Sequence, residues 1–373
     1  MSIGIGGAGS KLASLLDTGN AIIVNVSEME LDKVEASSKL RAVASTNRAA
    51  LQGSRKDPTL AKEAFSSVRD VLLHEIQNNI VFTSTGGGTG NGICTKLLDH
   101  VSDLPRVALD DKTMFVFVLP YADQEAAEFV DNTIDFLEGP VARAIDTGNT
   151  GNIVLISNKQ KFIDRQAELE YNQRCIESLR TFLDIPHKCD RFSTLDGTVD
   201  YEDFRHYCAR PYFNHFFHVS FDLEKPIGEQ IREATNPLLL PPAAPIESLF
   251  LLEVPKPEQA PAFYKILDYF ANEQQVPPAY AVVHNPEIPN PLLTVSLLYS
   301  RQPLELVDDF NSISGQNKRR RIRKSLDQKV TLSKLEVDFE DETHQVARET
   351  GKDEDEVTSV LRRIDSVSRT ASE

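Results

Sequence analysis

The chain has 373 residues, and 40 Lys and Arg against 56 Asp and Glu leave a formal net charge of −16. That length fits about two domains, or one large domain with an appendage. An acidic surface repels nucleic acid over most of its extent, which excludes a general DNA-binding protein but leaves room for one basic patch. No stretch approaches the ~18 consecutive apolar residues of a membrane span. The opening MSIGIGGAGSKLA is broken by glycines where a signal peptide needs an apolar run, so the expected compartment is the cytoplasm. Cys94, Cys175, Cys189 and Cys208 form no C-x-x-C pair, and the histidines show no metal-ligand spacing. Reduced, buried thiols are expected, and no residue is expected to ligate a metal.

Up to about residue 160 the chain alternates strand and helix. Ile22–Val26, Ile80–Thr83, Met114–Leu119 and Ile153–Ile156 are short apolar runs rich in β-branched and aromatic residues. Such runs suit strands buried on both faces. Leu60–Gln77 and Glu125–Ile145 carry apolar residues at helical spacing. The alternation predicts an α/β fold with a doubly wound, mostly parallel sheet. Phe162–Leu183 then reads as one or two helices, and Pro186–Thr198 as a polar loop. After Val219 the prolines become dense, with strands expected at Ser248–Val254, Ala279–Val283 and Leu292–Tyr299 and a helix at Pro261–Glu273. This texture predicts a smaller α+β domain. Lys318–Lys324 is basic at every position but Ile322, and a helix is expected at Glu354–Val367 in a charged tail.

Two glycine-rich loops carry the chemistry. Gly4–Gly9 satisfies G-x-G-x-x-G, which on its own is weak evidence for a dinucleotide site; in that reading Glu28 is the candidate ribose acid. Thr85–Gly92 reads TGGGTGNG between the strand Ile80–Thr83 and the helical stretch Ile93–Val101. Glycines admit a phosphate close to the backbone, and amides at a helix N-terminus attract anions. A tight turn alone does not require so many glycines, each of which costs conformational entropy. There is no G-x-x-x-x-G-K-[ST], which excludes a P-loop protein. An oxidoreductase has no use for the second loop.

In this setting Gly86–Gly92, GGGTGNG, resembles the signature of the tubulin/FtsZ superfamily, with Asn91 at its variable position. Other matches fall in the family's order. Gly4–Gly9, with Gly6, Gly7 and Ala8 at its centre, resembles the first phosphate loop, and Asn25 resembles the asparagine of the next nucleotide-contacting loop. Gln52–Pro58 falls where the family's γ-phosphate-sensing loop lies. Pro120–Tyr121 followed by Glu125 resembles the ribose-contacting loop, although Phe129 stands where FtsZ proteins carry an arginine. Asn158 resembles an asparagine near the base, and Asn172 the guanine-reading residue. The family's aromatic residue is Glu168 here, with Tyr171 a nearby alternative for stacking. Thr198–Phe204, TVDYEDF, resembles the catalytic loop after the central helix, with Asp200 and Asp203 at its acidic positions and Thr198 replacing an asparagine. Read from the residues alone, Asp200 serves equally well as a helix cap and Asp203 as its dipole partner.

The resemblance spans about residues 1–310 and is nearest to the divergent plasmid- and phage-type bacterial tubulins, TubZ and PhuZ. It implies a GTP-binding domain over 1–165, a central helix and catalytic loop over 166–205, an activation domain over 206–317 and a basic, partly helical tail over 318–373. It further implies GTP/GDP binding with Mg²⁺ and head-to-tail self-association into filaments. Nucleotide contacts would come from Gly6, Gly7, Ala8, Asn25, Gly86, Gly87, Gly88, Thr89, Gly90, Asn91, Glu125, Asn158 and Asn172. Asp200 and Asp203 of one subunit would complete the site of the next. Positioning of plasmid or phage DNA through a DNA-bound adaptor on the tail is the expected use. An FtsZ-like division role and a non-catalytic filament scaffold stay open, and the basic run suits DNA, a membrane surface or the next subunit's acidic face. Only Met1–Ile3 precede the first loop, so its strand is expected to be very short or to begin upstream.

Overall fold

The computed structural model describes residues 1–44, 56–105, 107–108, 111–234, 245–300 and 309–319. One compact unit runs from Met1 to Ser314, and a second comprises Gly315–Glu373. The first begins with β1 (Ser2–Ile5), α1 (Gly6–Leu16), β2 (Ile22–Asn25), α2 (Glu28–Asp32) and β3 (Ser38–Arg41). It continues through α3 (Pro58–Ala64), α4 (Arg69–Glu75), β4 (Ile80–Ser84), α5 (Gly88–Asp103) and β5 (Met114–Leu119). Next come α6 (Ala127–Phe136), α7 (Ala142–Thr147), β6 (Ile153–Ser157), α8 (Asn158–Ile163) and the central α9 (Glu168–Leu183). After α9 come α10 (Ile185–Arg191), β7 (Ser193–Gly197), α11 (Tyr201–Cys208), β8 (Phe213–Ser220), α12 (Ile227–Ala234) and β9 (Glu247–Val254). The last are α13 (Ala262–Tyr269), β10 (Ala279–His284) and β11 (Leu292–Tyr299).

Among the described residues, all the strands join one eleven-stranded sheet, ordered β3-β2-β1-β4-β5-β6-β8-β11-β9-β10-β7. From β3 to β6 every pairing is parallel. Beyond β8 the pairing is mixed, with β11 antiparallel to both β8 and β9. The apolar runs follow from burial on both faces. Along β5, Phe115, Phe117 and Leu119 enter one core, while Met114, Val116 and Val118 enter the other. The first core also takes Ala61, Ile93, Leu97 and Phe136 from α3, α5 and α6. The second takes Leu12 and Ala13 from α1 and Tyr171, Ile176, Leu179 and Phe182 from α9. The α/β sheet, the long central helix and the mixed second half agree with the sequence reading.

Several boundaries differ. Pro186–Thr198 is not a loop but α10 followed by β7. Pro186 sits in the first turn of α10, where its missing N–H costs nothing. β7 is an exposed edge strand, so its sequence STLDG carries no apolar alternation. The helix expected over Leu60–Gln77 breaks at a 3₁₀ turn, Phe65–Ser67, whereas Phe162–Leu183 takes the two-helix alternative, spanning the end of α8 and all of α9 with Arg165 at φ 52° between them. The short first strand is four residues long and is held between β2 and β4. All four cysteines are free; Cys94, Cys175 and Cys189 are buried and Cys208 is partly so. Burial pushes the Cys175 thiol up to about 11.

Central helix and second half-sheet meet at His218 of β8. Its Nε2 lies 3.0 Å from the Ser178 carbonyl oxygen and 2.9 Å from Ser178 Oγ, and its Nδ1 lies 3.1 Å from Thr294 Oγ1. Burial lowers its pKa from 6.5 to about 4. The folded chain therefore binds fewer protons than the unfolded chain between those values, and stability falls as pH drops through that window. Urea unfolding between pH 7 and pH 4 is expected to show a loss of about 3 kcal/mol that His218→Gln removes. An unchanged pH slope in the variant would contradict this.

Candidate functional site

The chain runs β1, β2, β3 to one side of β1 and then β4, β5, β6 to the other, so the gap between β1 and β4 is a topological switch point. In parallel sheets such a gap opens a crevice at the strands' C-terminal ends. Both glycine loops emerge there, from β1 into α1 and from β4 into α5. Neither helix has a capping side chain or an acid in its first turn. Both helix N-termini thus carry no acid of their own, and their dipoles favour an anion.

Glycine is required where these two loops touch. Gly6 has φ 75°, and a Cβ there would lie 2.9 Å from the Gly90 nitrogen. A Cβ on Gly90 would lie 2.4 Å from Thr83 Oγ1. The contact is backbone on backbone, which packs the two helix starts side by side. Gly7 is different: its Cβ would meet only the Glu30 carboxylate, at 3.1 Å. Ala8 sits half-buried in the first turn of α1.

The second loop is braced from behind. Asn91 donates from Nδ2 to the carbonyl oxygens of Thr85 at 2.5 Å and Asn132 at 3.0 Å, and its Oδ1 accepts from Thr95 Oγ1 at 3.3 Å. Its amide thus holds the turn and faces inward. Asn132 donates to the carbonyl oxygens of Gly86 at 2.9 Å and Lys56 at 3.2 Å. Thr85 and Thr133 share a hydroxyl hydrogen bond of 2.8 Å. Gly87 directly precedes α5, and Gly88 and Thr89 begin it.

Around the crevice, Asn25 ends β2; its Nδ2 donates to Glu30 Oε2 at 2.6 Å and its Oδ1 accepts from the Ser27 N–H at 3.1 Å. Past β5, Glu125 Oε2 accepts from the Tyr121 N–H at 2.6 Å and from Asn158 Nδ2 at 3.1 Å. Asn158 begins α8, where Ser157 accepts from the Lys159 N–H at 3.2 Å. Asn172 lies half-buried in the second turn of α9. The Tyr171 ring is only 1% exposed and its hydroxyl donates to the Ser157 carbonyl at 2.7 Å, so it belongs to the core and does not face the crevice. Glu168 pairs with Lys11 at 2.8 Å, and Arg180 donates to the carbonyls of Leu15 and Leu16, which fixes α9 along α1.

The structure therefore gathers Gly6, Gly7, Ala8, Asn25, Gly86–Asn91, Glu125 and Asn158 at the C-terminal ends of the parallel strands, with Asn172 on the adjoining helix. It does not bring Asp200 and Asp203 to them. Asp200 caps α11, accepting from the Asp203 N–H at 2.8 Å, and both acids are exposed. The C-terminal end of α11 meets the opposite end of β6: the Asn152 N–H donates to the Cys208 carbonyl at 2.7 Å and its Nδ2 to that of Tyr207 at 3.1 Å. Lys56 lies in the segment Gln52–Pro58 singled out in the sequence, whereas Glu30, Asn132 and Thr133 were missed there, since only hydrogen bonds set by the fold place them beside the loops. Glu28, the alternative ribose acid, is exposed and paired with Arg41 at 2.8 Å.

No three His, Cys, Asp or Glu residues are grouped to hold a metal among the described residues. No helix among them is long and apolar enough to cross a membrane. Gln52–Arg55, Arg320–Lys324 and the helix expected at Glu354–Val367 lie outside the described residues.

No family model and no curated protein matches the sequence. Solved structures do match. A GTPγS-form protofilament of Bacillus thuringiensis serovar israelensis TubZ matches with TM-score 0.69 at 12% identity, over 86% of this chain and 93% of that one. The GTPγS-bound protofilament of CetZ2 from Haloferax volcanii matches with TM-score 0.62 at 16% identity, over 85% and 98% of the two chains. FtsZ of M. jannaschii matches with TM-score 0.58 at 17% identity, over 80% and 88%. The fold is that of the tubulin/FtsZ superfamily, and TubZ, CetZ and FtsZ structures all share it with this chain.

Gly6→Ala is expected to cost at least ~2 kcal/mol, from strain at positive φ and from its collision with Gly90. Gly7→Ala, which meets only a movable carboxylate, is expected to cost under about 1 kcal/mol. Thermal melts of the two variants check this; equal costs would contradict the backbone contact described.

Proposed function

We propose that the chain is a GTP-dependent, filament-forming GTPase whose active site is completed by a second copy. The observation that carries this reading is a separation. Two uncapped helix N-termini converge at one end of the parallel strands, while the paired acids Asp200 and Asp203 stand exposed on a helix whose far end abuts the other end of those strands. Stacking copies head to tail brings the two half-sites together, and such a heterologous contact repeats into open filaments. The likeness to GTPγS-form and GTPγS-bound protofilaments of TubZ and CetZ2 supports both the ligand and the assembly.

In this reading, main-chain amides of Gly6–Ala8 and Gly86–Gly90 hold the phosphates. Glu125 and Asn158 hold the nucleoside end with Asn172, which also reads guanine, and Asn25 contacts the nucleotide from β2. The hydrolysed bond joins the terminal phosphorus to its bridging oxygen, and water supplies the new oxygen. Asp200 and Asp203 orient that water and accept its proton. The described residues offer no ligand set of their own for Mg²⁺, so its place would be on the nucleotide phosphates. The division into a GTP-binding domain (1–165), central helix and catalytic loop (166–205), activation domain (206–317) and tail (318–373) belongs to the same proposal. So do a cytoplasmic location and the positioning of plasmid or phage DNA through an adaptor on the tail. A second reading, GTP binding without turnover in a filament scaffold, is favoured by one observation: the Asp200 carboxylate is already engaged as a helix cap.

Asp200→Asn separates the two readings, because asparagine caps a helix as well as aspartate does. The variant is expected to keep the melting temperature and GTP binding of the parent and to lose about 100-fold or more in phosphate release. Turnover at the parent's rate would remove Asp200 from the chemistry.

A further inference from the structure

We infer that Asn152 is a positioning residue for the proposed hydrolysis, fixing where Asp200 and Asp203 stand on the face that a second copy meets. The inference deepens the proposed function and rests on it. It starts at the seam of the sheet. β6 and β8 join the parallel half to the mixed half, yet they pair only at Ile153 with Phe213 and Val154 with Asn214. On its other side β8 pairs with β11 along its whole length, from Phe213 to Ser220. So short a ladder contributes few backbone hydrogen bonds to the seam.

A closed circuit of polar side chains completes it. The Tyr207 hydroxyl of α11 donates to the Ser296 carbonyl oxygen at 2.9 Å and lies 3.0 Å from Ser296 Oγ. Ser296 Oγ donates to Asn214 Oδ1 at 2.7 Å, and Asn214 Nδ2 donates to Asn152 Oδ1 at 2.7 Å. Asn152 Nδ2 then returns to α11, donating to the carbonyl oxygens of Tyr207 at 3.1 Å and Arg210 at 2.9 Å. Asn152 and Ser296 are fully buried, and Asn214 and Tyr207 nearly so. Burying four polar side chains carries a desolvation cost that apolar ones would not. What a fully paired network adds is direction, because it admits one arrangement where apolar contact admits several.

That direction applies to one end of α11. The last carbonyls of a helix have no partner within it. Asn152 supplies them here: besides its two side-chain bonds, its N–H donates to the Cys208 carbonyl oxygen at 2.7 Å. The fit is close, since a Cβ on Gly151 would lie 2.8 Å from the same oxygen. Further up, α11 packs by Phe204 against Phe182, a contact without direction. At 1.5 Å per residue the helix is about 12 Å long. It carries Asp200 as its cap and Asp203 in its first turn, so a shift at its end moves both acids.

Phosphate release from GTP per assembled subunit, with GTPγS binding alongside, tests this in Asn152→Ala, Asp200→Asn and the double variant, at a temperature where all are folded. Asn152→Ala is expected to lose about 10-fold or more in kcat, with the KM for GTP and the GTPγS affinity little changed. The double variant is expected to be no slower than Asp200→Asn, because a residue that acts through the acids then has nothing left to position. Ser296→Ala opens the same circuit but leaves the bonds from Asn152 to α11, and is expected to keep the parent's kcat. Asn152→Ser, which retains one side-chain donor, is expected to fall between the parent and Asn152→Ala, and carries the test alone if the alanine variant does not fold. A kcat equal to the parent's in the Asn152 variants would overturn the assignment. So would an equal loss in Ser296→Ala, or a loss that multiplies with that of Asp200→Asn. Turnover of Asp200→Asn at the parent's rate would instead remove the acids from the chemistry, and this assignment with them.

Discussion

Two helices begin within van der Waals contact of each other at the switch point of the sheet, and glycine is what permits it. Gly6 turns with positive φ against the Gly90 backbone, and Gly90 leaves room for Thr83. Much of the site depends on this contact. It places two helix N-termini side by side and aligns two helix dipoles on one spot. It also brings the bracing residues Asn91, Asn132 and Thr133 into register behind the second loop. These glycines are thus required by packing alone.

A second constraint is polarity along the sheet. In the parallel half every strand delivers its loop to the same edge, so residues as distant in sequence as Asn25 and Asn158 lie along one edge. The acids after β7 follow a different rule. β7 is antiparallel to β10 at the far edge of the sheet, and α11 packs through Phe204 on Phe182 of the central helix, with ring centres 5.0 Å apart. The central helix is held to α1 at one side and, through His218, to β8 at the other. It therefore joins α1, α11 and the second half of the sheet.

Much of this was legible in the sequence, for physical reasons. Buried parallel strands write themselves as continuous apolar runs, and the loops that flank the switch point need glycine. The sequence therefore showed β2, β4, β5, β6 and both loops. It misled where local pattern is weak. β7 is polar because it is an exposed edge strand, and α10 was hidden by a proline that is harmless in a first turn. Glu30 and Asn132 were invisible for another reason. Asn132 reaches Gly86 across 46 residues and Lys56 across 76, and no periodicity encodes such a contact. Asn91 was expected among the ligand contacts; its side chain braces the loop from inside.

The central claim is that one chain carries two halves of an active site that meet only between copies. Phosphate release from GTP, measured per subunit across a protein concentration series with light scattering alongside, tests it most directly. Turnover per subunit that is negligible at low concentration and switches on with scattering above a critical concentration is the result this account requires. Turnover per subunit that stays constant on dilution would show that a single chain holds a complete site, and would contradict it.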